Sequence, residues 1–122
     1  MGNATRGQID FEVDGSTYQM HFTANALCEL EDASGLSAPK FLEALEANAT
    51  SGDLRMSDVR LLFWAGLTEN HSKLSVSDAG RMITAMGGME KAMAVLEKAV
   101  SAAMPSQKSG GKSTGKKPMG TA

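Results

Sequence analysis

The residues in this 122-residue chain best suited to metal ligation or nucleophilic attack are two histidines, His21 and His71, and a single cysteine, Cys28. Their spacing suits neither role. A metal site read from sequence needs ligands a few residues apart or on one helix face, as in C-x-x-C or H-E-x-x-H. Here the histidines are 50 positions apart and the thiol pairs with neither. Cys28 falls on a predicted helix with no base in reach by sequence, so it reads as a semi-buried structural thiol. His21 falls on the polar face of a predicted hairpin and His71 in a predicted loop, and both read as surface residues.

Two further patterns resemble chemistry and do not sustain it. Residues 106–113, SQKSGGKS, come close to the phosphate-binding loop G-x-x-x-x-G-K-S/T. Ser106 replaces the first glycine, no strand precedes the segment, and no helix follows to aim its amides at a phosphate. The carboxylates Glu29, Glu31 and Asp32, and Glu43 with Glu46, could be paired for acid–base work. Each group falls opposite the apolar stripe of its predicted helix and reads as a solvated face. No catalytic residue, metal site or cofactor is expected, and the chain reads as a non-enzyme.

Apolar side chains offer a different chemistry, that of protein contact. Of nine methionines, Met82, Met86, Met89, Met93 and Met104 crowd into the last two predicted helices. Flexible, polarizable thioethers suit either core filling or binding of varied apolar partners. Trp64 and Leu61 fall together off the main stripe of the third predicted helix, and an exposed Trp is a good contact residue. Leu61, Trp64, Met82, Met86 and Met93 are therefore the candidate partner-binding residues.

The elements that must position these residues follow from periodicity. Asp14-Gly15 between alternating apolar residues predicts a hairpin over 8–22, because a two-residue type I′ turn needs positive φ at both positions. That turn pairs Val13 with Ser16, Phe11 with Tyr18, Ile9 with Met20 and Gly7 with Phe22. It sorts Ile9, Phe11, Val13, Tyr18, Met20 and Phe22 onto one face, and a one-residue slip would scramble the sorting. Beyond Phe22 the period becomes helical, predicting helices over about 24–34, 38–50, 58–69, 76–86 and 89–104.

The expected helix signals are Thr23 as N-cap and Gly35 as stop for the first, and Ser37, Pro39 and Ser51-Gly52 for the second. Ser57 is the expected cap of the third helix, with Met56 and Leu61 as a hydrophobic staple and Gly66 letting another backbone approach closely. Ser75 and Asp78 predict a capping box for the fourth, and Gly87-Gly88 separates it from the fifth. Inward stripes are expected at Ala26, Leu27, Leu30 and Ala33; Phe41, Leu42, Leu45 and Ala49; Val59, Leu62, Phe63, Gly66 and Leu67; and Val76, Ala79, Ile83 and Met86. The fifth helix should turn Met89, Ala92, Met93, Leu96, Val100 and Ala103 inward. The fold class is α+β, an N-terminal hairpin packed on a small bundle of about five helices.

Charge divides the chain. Residues 105–122 hold Lys108, Lys112, Lys116 and Lys117 and no acid, which leaves −6 on residues 1–104 of a chain whose net charge is −2. An acidic body does not suit phosphate neutralisation, so nucleic-acid binding is not expected of it. One domain is expected over 1–104, and 105–122 reads as a flexible, disordered basic tail too rich in Ser, Gly and Lys to bury apolar surface. One cysteine permits no internal disulfide, which suits a reducing compartment. MGNATRGQ has no apolar run of a secretory leader, and no stretch approaches 18 apolar residues, so no membrane association is expected.

The run G-x-x-x-F-E-V-D-G-x-x-Y-x-M-x-F-T-x-x-A-L-x-E-L-E-x-x-x-G, residues 7–35, resembles the gene transfer agent and siphophage tail-assembly-chaperone family, whose members have also been labelled tail tube proteins. Gly7, Asp14-Gly15, Tyr18, Phe22-Thr23, Ala26-Leu27, Glu29-Leu30-Glu31 and Gly35 carry the resemblance. Val59 with Ala65-Gly66-Leu67 matches a second signature, and the likeness extends over about residues 7–104. It implies a small protein in the cytoplasm of a bacterial host, absent from the finished particle. Such a protein binds the tape-measure protein, helps recruit tail tube subunits, and can self-associate. Two alternatives stay open: a structural tail tube or tail-completion component of the particle, and a small regulatory module whose Lys tail touches nucleic acid.

Overall fold

A computed structural model describes residues 7–103. Two strands, β1 (Gln8–Val13) and β2 (Ser16–His21), precede five helices: α1 (Ala24–Ser34), α2 (Ala38–Ser51), α3 (Met56–Leu67), α4 (Val76–Ala85) and α5 (Met89–Ala103). The α+β expectation holds: an antiparallel hairpin leads into five helices. The expected boundary near 104 and the flexible basic tail over 105–122 lie outside the described residues.

The hairpin has the register its turn dictates. Asp14 and Gly15 both have positive φ, 51° and 82°, as a type I′ turn requires. Val13 pairs with Ser16, Phe11 with Tyr18 and Ile9 with Met20. Phe11, Val13 and Met20 are buried, followed by Phe22 just past the strand, while Ile9 and Tyr18 pack half-buried at the margin. A two-stranded ribbon is marginal alone; this one is held by α3 against β2 and by α5 across both strands.

α3 is the central strut. Half of its twelve residues are buried, and it packs against α1, α4, α5 and β2. Phe63 reaches Phe11 of the hairpin edge-to-face, with ring centroids 5.6 Å apart, an arrangement that adds specificity to the burial of two large side chains. Leu30, Leu62, Ile83 and Leu96 bring α1, α3, α4 and α5 into the same cluster. Burying a side chain of this size is worth about 1.5–3 kcal/mol.

The helix ends follow the sequence in most places. Thr23 Oγ1 accepts from the Ala26 amide at 3.1 Å, Ser37 Oγ from the Lys40 amide at 3.3 Å, and Gly35 and Gly52 close α1 and α2 in left-handed conformations. Ser75 and Asp78 form the expected capping box of α4.

The start of α3 differs. The chain enters the helix at Met56, with Arg55 as N-cap and no side-chain cap bond, so Ser57 lies inside the first turn and Met56 is not in the staple position. Met56 is instead one of the most exposed large apolar residues, at 41%. α3 also stops at Leu67, two residues before its expected end. Two stripes are narrower than expected, since Ala33 and Ala49 are exposed. In α4, Met82 is buried beside Ala79 and Ile83, while Val76 and Met86 are half-buried.

Candidate functional site

The interior offers no poised chemistry. Among the described residues no polar or charged residue is buried, and no group of three or more His, Cys, Asp or Glu could hold a metal ion. Cys28 is exposed on α1 rather than semi-buried. The carboxylates of the sequence clusters have ordinary helix-surface positions, with one exception. Glu31 is half-buried, and its Oε2 accepts from the Ala38 amide at 2.8 Å. It thereby supplies one of the acceptors that the first turn of α2 lacks and fixes the α1–α2 corner.

His71 likewise has a fixed role. Its Nε2 lies 3.2 Å from the Gln19 backbone nitrogen, whose N–H it accepts in the Nδ1–H tautomer, and 3.1 Å from Gln19 Oε1, to which it donates in the other, and its ring meets Tyr18 edge-on with centroids 5.2 Å apart. It closes the outer edge of β2, tying the α3–α4 loop to the hairpin. Thr23 does the same from α1, donating to Glu69 Oε1 at 2.8 Å beyond the end of α3. These polar contacts position elements.

The five candidate contact residues are not one surface. Met82 is in the core at 8% exposure. Trp64 is half-buried, and its indole N–H donates to the Leu74 carbonyl at 3.1 Å. Met86 is half-buried against the core. Leu61 and Met93 line two different clefts.

The smaller cleft, about 350 Å³, lies where the α1–α2 corner meets the starts of α3 and α4. Leu36, exposed at 44%, and Leu61 supply apolar wall, and Arg60 crosses it. The Arg60 stem lies over Gly80, where a Cβ would come within 3.0 Å of its Cδ. Its Nε is buried without a hydrogen-bond partner.

The larger cleft, about 520 Å³, is a groove between α2 and α5. Leu42, Leu45 and Ala49 line one wall, Met93, Leu96 and Val100 the other, and Leu62 of α3 the floor. Glu43 and Glu46 stand on the α2 rim and Glu97 on the α5 rim. Among the described residues no lysine or arginine lines it. The apolar residues of α2 are visible in the sequence as an inward stripe. Phe41 and Leu45 of that stripe are buried in the core, while half-buried Leu42 and exposed Ala49 are left at the groove because α2 packs chiefly on α1.

No helix of the described residues is long and apolar enough to cross a membrane. The geometry is that of a helical fold with two part-apolar clefts. No curated protein and no solved structure matches the chain. A family match spans residues 6–105, which takes in both strands and all five helices. The chain belongs to the family described as phage tail tube protein, GTA-gp10.

Proposed function

We propose that this chain is a non-enzymatic assembly factor for a long phage-type tail, one that binds helical segments of the tape-measure protein and helps recruit tube subunits. The observation that carries the proposal is the balance of elements. The sheet of the described residues is a single two-stranded hairpin, and the bulk is helix. A subunit forming a tube wall is expected to be mostly strand, with sheet edges that continue into its neighbours. Here the outer edge of β2 donates its Gln19 amide to His71, and β1 carries exposed Asp10 and Glu12, which discourage strand addition. Helical faces with apolar clefts suit packing against partner helices. On this reading residues 1–104 are one functional domain, Leu61 and Met93 contribute contacts from the two clefts, and the protein acts in the host cytoplasm and leaves before the particle is finished.

The family's description as a tail tube protein favours a second reading, a structural component that stays in the particle. Two measurements separate them. Co-expression with the tape-measure protein should raise its solubility and give a complex that co-purifies; no co-purification and unchanged solubility would remove the first reading. Mass spectrometry of purified particles should find this chain absent or in trace; copies in the number of a tube wall would establish the second.

A further inference from the structure

We propose that the α2–α5 groove is a docking site for a partner helix whose apolar stripe is flanked by lysine or arginine. The inference rests on the assembly-factor reading for its choice of a helical partner, and it adds the surface and the chemistry of recognition. The groove runs along α2 from Pro39 to Ala49 and along α5 from Met93 to Ser101. At 1.5 Å per residue that is roughly 12–15 Å, the length of two to three helical turns. Pro39, Leu42, Ala49, Met93 and Val100 supply its accessible apolar surface over buried Leu45, Leu62 and Leu96, a lining that takes leucine-like side chains at i, i+3, i+4 and i+7.

The rims select the partner's charge. Glu43 and Glu46 on one side and Glu97 on the other are exposed, and among the described residues no cation lines the groove beside them. An apolar floor between two acidic rims complements a helix with basic flanks and repels one with acidic flanks.

Two other occupants fit less well. A second copy would bring another acidic body, since residues 1–104 carry −6. The chain's own residues 105–122 carry Lys108, Lys112, Lys116 and Lys117 and could answer the rims. They offer only Pro105, Pro118 and Met119 as sizeable apolar groups for the floor.

The test uses the full chain and a synthetic amphipathic peptide of about five helical turns with a leucine stripe flanked by lysines, against the same peptide with glutamates for lysines. Titrations are read by backbone NMR shifts and by calorimetry. The lysine peptide is expected to shift residues of α2 and α5 around the groove, to lose affinity with added salt, and to bind roughly tenfold or more tighter than the glutamate peptide. Ala49→Trp, which fills the groove from an exposed position, should weaken it by a similar factor. Glu43→Lys with Glu46→Lys and Glu97→Lys should reverse the peptide preference.

Equal binding of both peptides, shifts elsewhere, or indifference to Ala49→Trp and to the charge reversals would overturn the proposal. So would groove shifts in the free protein on replacing the four tail lysines with glutamate, which would make the tail the occupant. A dimer abolished by Ala49→Trp would make a second copy the occupant and overturn it likewise. Failure of the wild type to co-purify with the tape-measure protein would sink the assembly reading, and the peptide titration would still decide the groove. Co-purification equal for wild type and Ala49→Trp would keep that reading and sink the groove.

Discussion

A Cβ placed on Gly66 would stand 2.6 Å from Cγ of Met20, the buried methionine of β2. The missing side chain on α3 is the space into which the hairpin's apolar face fits. The same Cβ would meet Phe22 Cζ at 2.9 Å, so two side chains from one segment converge on one glycine. The closeness expected at Gly66 is real, with side chains rather than another backbone making the approach.

Gly66→Ala sets two effects against each other. Alanine gains about 1 kcal/mol of helix propensity over glycine. Overpacking a full core costs about 1–3 kcal/mol. Met20 is fully buried and Phe22 nearly so, which leaves neither much room to retreat, so the clash should win. Thermal or urea unfolding is expected to show a net loss of about 1 kcal/mol, and a smaller loss when the same change is made in a Met20→Ala chain, which lacks the clashing Cγ. A stabilised Gly66→Ala protein would mean that α3 and the hairpin are not packed this tightly.

What the sequence reveals and what it hides divide along a physical line. Local rules fix the hairpin register, since a two-residue Asp14-Gly15 turn leaves one pairing that keeps Phe11, Val13 and Met20 on one face. The caps at Thr23, Ser37 and Ser75 are local for the same reason. At α3 the helix begins ahead of its cap signal: Arg55 is the N-cap with no side-chain cap bond, although Ser57 is the better capping residue type. The roles of Glu31 and His71 depend on segments meeting in space. His71 is 52 positions from Gln19, and no periodicity links them. The groove is hidden for the same reason: the stripe of α2 is legible, while its angle to α5 is a property of the assembled bundle.

Glu31 and Glu29 lie on the same helix with opposite expectations. Glu31 accepts from the Ala38 amide, whereas Glu29 is exposed. Glu31→Ala should leave that amide without its protein acceptor and cost about 1 kcal/mol. Glu31→Gln keeps an acceptor oxygen and should cost less, and Glu29→Ala should stay within about 0.5 kcal/mol of wild type. Chemical denaturation of the three variants checks the order. Equal losses at both positions would remove the proposed role of Glu31 at the corner.

The α4 capping box should make stability depend on acid. The Ser75 backbone N–H, with the Arg81 guanidinium and the Ser75 hydroxyl, holds the Asp78 carboxyl below its ordinary value. A carboxylate lowered in the folded state stabilises it above the unfolded value, and that contribution fades as pH falls through the folded value. Wild type should therefore exceed Asp78→Ala in stability above about pH 5, with the margin shrinking below about pH 4. Urea midpoints across that range test it. A margin that grows on acidification would have the wrong sign for this box.

His71→Ala tests the tie between the α3–α4 loop and the hairpin. The Gln19 amide points out of the ribbon at a position where β1 cannot accept it, and His71 Nε2 takes it at 3.2 Å while the ring covers Tyr18. Removing the imidazole returns that amide to solvent and unpacks one side of a half-buried Tyr. Because water can replace the lost acceptor at a strand edge, the global cost should be modest, about 1 kcal/mol. The local effect should be larger. Hydrogen exchange at Gln19 should accelerate well beyond the change at Met20, whose residue pairs with Ile9 inside the ribbon. Uniform acceleration across both strands would show that His71 supports the whole hairpin, and unchanged exchange at Gln19 would show that the bond does not protect it.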